Sequence, residues 1–408
     1  MSRALAVIGL LFALLLAPPV HSRLFALEPL HDADGVALWT ASALVALVAV
    51  GVLGRSRRPL VHKLALLGFV LAGVELGARC VITHFTYWPR EKLAKLGRAT
   101  YPDLLAYRPH PFLQFTGRPD RVLQGNTALN ATTPFNRDGF PGPDVARAKP
   151  PGTCRIVCLG ASTTASGYPA LLEDWLRSHP PTGGTAERYE CVNLSHGFYD
   201  STHSVVNFTL NAVDYAPDYV VIHHGWNDGR AARNASHYRG DHSHVLKAFE
   251  PPRPSDWPLI RASVLYRFVR FRISGNAGFE YLDAALLRPD PDYDDVDLTP
   301  ALATFDRNLR TIVDLALLRG ITPVLATLPY STEPEIAFAP NRPDLPRFAA
   351  VMREVAASHP DRVLLVDLEA ALTGHNELFV DLAHMVPAGR ARKAELIGEA
   401  ILAHRRGG

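Results

Sequence analysis

Cysteine is scarce in this 408-residue chain, which has four: Cys80, Cys154, Cys158 and Cys191. Four are too few for a disulfide scaffold, and none sits near histidines at zinc-ligand spacing. Buried free thiols are expected, with a Cys158 to Cys191 bridge as the alternative. An excess of one charge is also lacking. The 42 Lys and Arg against 40 Asp and Glu leave a formal charge of +2, and no basic run is interleaved with aromatics, which excludes nucleic acid as a partner. A hydrophobic content of 48% excludes a disordered or fibrous chain and provides for a full core with appendages.

What is abundant is apolar sequence, concentrated in the first 85 residues. A bilayer is spanned by roughly 20 apolar residues, so about three transmembrane helices are expected, over residues 4–20, 36–53 and 61–85. For the first of these, a cleavable signal peptide ending near APPVHS is the alternative. The link HSRLFALEPLHDAD carries one arginine among three acids, whereas GRSRRPLVHK carries three arginines and a lysine. The positive-inside rule makes the second link cytoplasmic and places everything after residue 85 outside. The expected location is a bacterial inner membrane, with several passes and a periplasmic or external domain. Glu75 and Arg79, at i and i+4, are expected to pair on one helix face.

Residues 86–153 are rich in proline and glycine and read as a tether that wraps onto the following domain, with turn chemistry in PFNRDGFPGPD. From residue 154 to 408 short apolar runs at 155–159, 188–194, 219–223, 322–328 and 362–367 alternate with helix-period stretches such as YPALLEDWLR and FDRNLRTIVDLALL. Buried strands alternating with helices imply an α/β domain of three layers, α/β/α, around a mostly parallel sheet. Ligands in such sheets sit beyond the carboxyl ends of the strands. The loops at those ends are Gly160-Ala161-Ser162-Thr163-Thr164, Asn193-Leu194-Ser195-His196-Gly197, and Gly225-Trp226-Asn227-Asp228, joined by FVDLAHMVPAG before the last helix.

These ordered blocks, GAST, a glycine after the second strand, GWND and DLAH, resemble the SGNH hydrolases, also called the GDSL lipase and esterase family. The resemblance covers about residues 150–405 and implies a flavodoxin-like hydrolase domain acting on acyl esters without a cofactor. A serine hydroxyl needs a base to become a nucleophile. His384 is the natural base for Ser162, and Asp381, three residues before it, is placed to orient the imidazole and stabilise its charged form. The resemblance assigns the oxyanion hole to the backbone N–H groups of Ser162 and Gly197 and to the side-chain amide of Asn227. Two departures stand out. Ala161 replaces the family's usual aspartate, which performs no chemical step. Gly197 follows Asn193 at a shorter interval than is common, which leaves Phe198 and Ser201 as alternatives.

An insert of about residues 229–300 separates the third and fourth strands, and insertions of that length carry specificity. His237, His242 and His244 with Asp241 form a loose metal-like pattern, but no metal is expected. The stretch PLIRASVLYRFVRFRI reads as an amphipathic helix with a basic face. His223 and His224 are expected beside the pocket, with His224 as a substrate contact. The resulting expectation is a membrane-anchored serine esterase acting on an acyl ester of envelope carbohydrate or lipid. An O-acyltransferase using the same triad and a non-catalytic carbohydrate-binding protein are the alternatives.

Overall fold

A computed structural model describes residues 2–20, 32–53, 59–84, 107–119, 134–180, 188–233, 238–243, 263, 265–266, 297–333 and 344–407. Most of the insert, including His237, His244 and nearly all of the basic amphipathic stretch, lies outside them. The chain divides into two compact units. One comprises Met1–Tyr101 with Glu250–Pro291, and the other Pro102–Phe249 with Asp292–Gly408.

In the first unit, runs of Leu, Ala and Val form α1 (Ser2–Leu16), α2 (Asp32–Leu53) and α3 (Pro59–His84). Phe69 and Ala49 are buried together, as are Leu16 and Leu76. Gly9 makes the first contact possible, since a Cβ there would lie 2.3 Å from the Phe69 ring. Ser42 satisfies its hydroxyl by donating to Ala13 O at 2.7 Å. Leu47, Leu60 and Leu64 stay 60 to 68% exposed on the outer faces. The three expected spans are thus present as helices, but among the described residues no helix is long and apolar enough to cross a membrane. The Arg79 side chain, and with it the expected Glu75–Arg79 pair, lies outside the described residues. Glu75 itself accepts from Ser263 Oγ at 2.7 Å and Leu265 N at 3.1 Å, so part of the insert belongs with the amino-terminal helices.

The second unit is built on five parallel strands: β3 (Thr153–Gly160), β4 (Arg188–Asn193), β5 (Tyr219–His223), β6 (Thr322–Ala326) and β7 (Leu364–Val366), in spatial order β4-β3-β5-β6-β7. This is the flavodoxin-like order, with its switch point beside the first strand of the sheet. One sheet face, with Ile156, Cys158, Val221 and Val324, packs on Leu172 and Leu176 of α5 (Tyr168–Ser178) and Ile397 and Ile401 of α11 (Pro387–Gly407). The alternating residues Val157, Leu159, Val220 and Ile222 are buried on the other side. There α6 (Ser201–Leu210), α8 (Thr299–Leu318) and α9 (Leu345–Ala357) complete the third layer. None of the four cysteines is in a disulfide, and burial pushes the Cys158 thiol up to about 12.

Part of the expected tether is structured and packs into this unit. β1 (Tyr107–His110) and β2 (Gln114–Gly117) form an antiparallel hairpin, and residues 134–142 form a turn bridged from Phe135 to Pro141. The rings of Tyr107, Phe115, Phe135, Phe140 and Tyr199 surround His196 at centroid distances of 5.2 to 5.8 Å. His196 donates to Gly139 O at 2.6 Å, and Tyr199 OH donates to Phe115 O at 2.6 Å. Burial drives the His196 pKa down to about 3, so the ring is neutral.

Candidate active site

β3 delivers its chain to the carboxyl edge of the sheet and ends at Gly160. A Cβ there would sit 2.1 Å from Thr164 Oγ1, so glycine is what allows the chain to double back into the one-turn helix α4 (Ser162–Ala165). Ser162 is the first residue of that turn and is half-buried. On the far side of the site, an isolated bridge pairs Phe379 with Met385 and closes the loop carrying Asp381 and His384 just ahead of α11. The two loops meet. Ser162 Oγ lies 2.8 Å from His384 Nε2, and His384 Nδ1 lies 2.8 and 3.0 Å from the Asp381 carboxylate oxygens.

This geometry fixes the tautomer. Nδ1–H donates to Asp381, which leaves Nε2 as the acceptor for the serine proton. Burial works to raise the Asp381 pKa, yet hydrogen bonds from the His384 ring and from the backbone N–H groups of Ala383 and His384 hold it below the usual carboxylate value. The carboxylate is therefore ionised opposite the imidazole.

The oxyanion candidates come from the two neighbouring strand ends. Asn227 lies in the first turn of α7 (Trp226–Arg233), beyond Gly225, whose φ of +140° suits glycine. Its amide donates one N–H to Tyr199 O at 2.7 Å, and an amide nitrogen has two. Gly197 is buried, and a Cβ placed there would meet nothing within 4 Å, so open space faces its backbone. The two alternatives differ in setting. Phe198, at φ +70°, is 48% exposed with the Arg230 guanidinium 5.1 Å from its ring centroid. Ser201 is buried and gives its hydroxyl to Asp228 at 2.5 Å.

His224, expected as a substrate contact, is 3% exposed, and its Nε2 sits 2.6 Å from Ser204 Oγ. Its neighbours form a buried polar network that the sequence reading did not single out. Asp200 caps α6 and receives His203 Nδ1 at 2.9 Å and, from the start of the insert, His242 Nδ1 at 2.7 Å. Asn308 donates to Ser201 Oγ at 2.8 Å. Burial and then the charge of Asp200 raise Asp228 to about 6. The signal for Asp200 was available, since D-S-T-H before an apolar stretch is a capping pattern. Asp241 is exposed while His242 is buried against Asp200, so the two do not converge. Among the described residues no group of three or more His, Cys, Asp or Glu is placed to hold a metal ion.

Residues 158–392 match the GDSL-like lipase/acylhydrolase family. No curated protein matches. Among solved structures, the chain is similar to a lipase/acylhydrolase from Enterococcus faecalis, at 16% identity over 61% of this chain and 96% of that one, with a TM-score of 0.39. An acetylxylan esterase from Geobacillus stearothermophilus is similar at 14% identity over 61% and 93%, with a TM-score of 0.36. The family match covers more than half of the sequence and includes every loop that meets at Ser162, so the chain belongs to the GDSL-like lipase/acylhydrolase family and is a serine hydrolase acting on ester bonds.

Proposed function

We propose that this chain is a membrane-attached serine esterase in which Ser162, His384 and Asp381 form the catalytic triad. The observation that carries the reading is the unbroken hydrogen-bond relay from Ser162 Oγ through His384 to Asp381. Ser162 Oγ attacks the acyl carbon while its proton passes to His384 Nε2, and Asp381 stabilises the imidazolium. The oxyanion that forms is held by the N–H groups of Ser162 and Gly197 and by the second amide N–H of Asn227. Collapse expels the alcohol, which takes the proton back from His384. Water then repeats the sequence on the acyl-enzyme and releases the acid.

The apolar amino-terminal sequence and the exposed leucines of α2 and α3 support attachment to lipid, and the arginines of GRSRRPLVHK support a periplasmic or external catalytic unit. An acyl ester of envelope carbohydrate or lipid suits that location. The test is to treat the full-length chain in membranes with a fluorophosphonate, which should label Ser162 alone and leave Ser162→Ala unlabelled. Labelling at Ser166 or Ser201 would sink the assignment. With p-nitrophenyl acetate the acyl group should leave as free acid even when sugar acceptors are added; diversion of most of it into new esters would make the protein a transferase. A reporter active only outside the cytoplasm should work when fused after residue 90 and fail after Arg58.

A further inference from the structure

The last helix carries a buried amine that the triad chemistry does not use. Lys393 of α11 is 1% exposed. Its Nζ lies 3.1 Å from His223 Nε2, 3.3 Å from the carbonyl oxygen of Thr163, and 5.2 Å from the centroid of the Tyr168 ring. His223 is itself fully buried at the end of β5, and its Nδ1–H donates to Ala326 O at 3.0 Å. That bond fixes the tautomer and turns Nε2 into an acceptor aimed at Lys393. One turn earlier on the same helix, Arg390 Nη1 donates to Ser166 O at 2.5 Å.

The first of the two carbonyls belongs to the residue after Ser162, and the second to Ser166, which caps the same helical turn. The helical turn that presents the nucleophile is four residues long, and so short a helix has little stability of its own. Ser166 Oγ donates to the Thr163 carbonyl from within at 3.1 Å, and from outside the carbonyls are held by two basic side chains of the helix that begins three residues after His384. The base and the brace of the nucleophile therefore share one rigid element. Burial, then the charge of Arg390, lowers the Lys393 pKa to about 7. An ammonium is costly in such a place, and a methionine of similar length would fill the volume without that cost.

We propose that Lys393 is a positioning residue for the nucleophile: braced by His223, it holds the Thr163 carbonyl, with Arg390 on Ser166, and so keeps Ser162 in register with His384. The proposal rests on the serine esterase reading. Misplacement of a reacting group by about 1 Å costs roughly a hundredfold in rate, and this sets the scale of the effect.

The experiment measures kcat and KM for p-nitrophenyl acetate, the rate of fluorophosphonate labelling and the thermal midpoint on the full-length chain. Lys393→Met should lower kcat and the labelling rate roughly 10- to 100-fold, with KM within about twofold and a midpoint no lower than that of the unaltered chain. Lys393→Gln, which keeps an N–H donor for the Thr163 carbonyl, should recover at least half of that loss on a logarithmic scale. If Lys393→Met does not fold, Arg390→Met decides instead, since it cuts the second tether from a half-buried position. It should lower kcat about 3- to 10-fold with KM steady. An unchanged kcat, or a loss of kcat that tracks the midpoint with no rescue by glutamine, overturns the proposal. Failure of the unaltered chain to be labelled at Ser162 would instead strike the esterase reading, before any variant is compared.

Discussion

At the amino-terminal ends of the parallel strands, Arg155 is fully buried on β3 and every donor group of its guanidinium has a partner. Nε and Nη2 reach Glu190 at 3.0 and 2.6 Å, and Nη1 reaches Tyr215 O at 2.6 Å and Arg147 O at 2.9 Å. Asp218, just before β5, takes the Arg155 backbone N–H and Lys149 Nζ, each at 2.7 Å. At the carboxyl ends of the same strands, His384 keeps 22% of its side chain exposed and Asp381 keeps 45%. Ser162 has one partner for its proton, and Asn227 has one of its two amide N–H groups committed. Charge at the first end is saturated and holds strands together. Charge at the second is left with unused bonding capacity, which is what a reacting substrate needs. Stability and chemistry are thus placed at opposite ends of one sheet.

That separation can be broken or sharpened by mutation. The largest effect belongs to the carboxyl end: Ser162→Ala or His384→Ala should cost about 10⁶ in kcat, and Asp381→Asn about 10⁴, each with a thermal midpoint close to that of the unaltered chain. A large fall in stability in any of the three would show that the two ends are not independent. At the amino end, Arg155→Ala takes from Glu190 its buried partner and leaves it only the exposed Arg188 at 3.0 Å, which should remove about 3 kcal/mol of stability. Titration with urea measures this, and the rate per folded molecule should be unchanged. Asn227→Ala should lower kcat by roughly 10² to 10³, and an unchanged rate would make Asn227 a turn former only.

The smallest effect is a pH dependence at the carboxyl end itself, around Asp200, which caps α6 just after the β4 loop. Burial works to lower the His242 pKa, but the charge and hydrogen bond of Asp200, helped by Asp228, raise it above the ordinary value, while Arg307 opposes them. Thr202 Oγ1 lies 3.2 Å from His242 Nδ1 and the Tyr238 hydroxyl 3.0 Å from its Nε2, and His203 shares the Asp200 carboxylate. A raised folded-state pKa means that the contribution is whole below the ordinary imidazole value and is lost as pH rises through the raised one. Backbone amides of residues 238–243 should therefore lose protection from hydrogen exchange, beyond the intrinsic rate change, as pH climbs past that point. His242→Gln should abolish the transition, and an unchanged transition in that variant would assign it elsewhere.

Much of this was legible in the sequence because apolar runs of five or six residues bounded by Gly, Asn or Asp have few other readings. The stretches around Ile156, Val221 and Val324 read as buried strands for that reason. The meeting of Ser162 with His384 and Asp381 was legible because all three lie in loops at one edge of the expected sheet, and the structure joins them by hydrogen bonds. Lys393 was not, since a lysine in ARKAELIG reads as a solvated helix face and only the packing of α11 on β5 and α4 buries it. Arg155 hid in the same way at the head of an apolar strand. The bond of His224 to Ser204 was not legible, because nearness to GWND in sequence says nothing about what packs against the residue. The segment 86–153, short of helical or strand periodicity, concealed a hairpin whose hydrogen-bond partners are 79 to 89 residues away.

That hairpin makes the module larger than its family signature. The recognisable sequence begins at Cys158, but the ring of aromatics around His196 is closed by Tyr107 and Phe115 from one segment and Phe135 and Phe140 from another. His196 stands next to Gly197. A chain cut just ahead of β3 would keep the whole triad and every motif by which the family is known, yet it would leave His196 and Tyr199 bare to water beside the oxyanion loop. The smallest inheritable unit of this enzyme is therefore set by what shields the back of the loop that carries Gly197, and motif boundaries alone underestimate it.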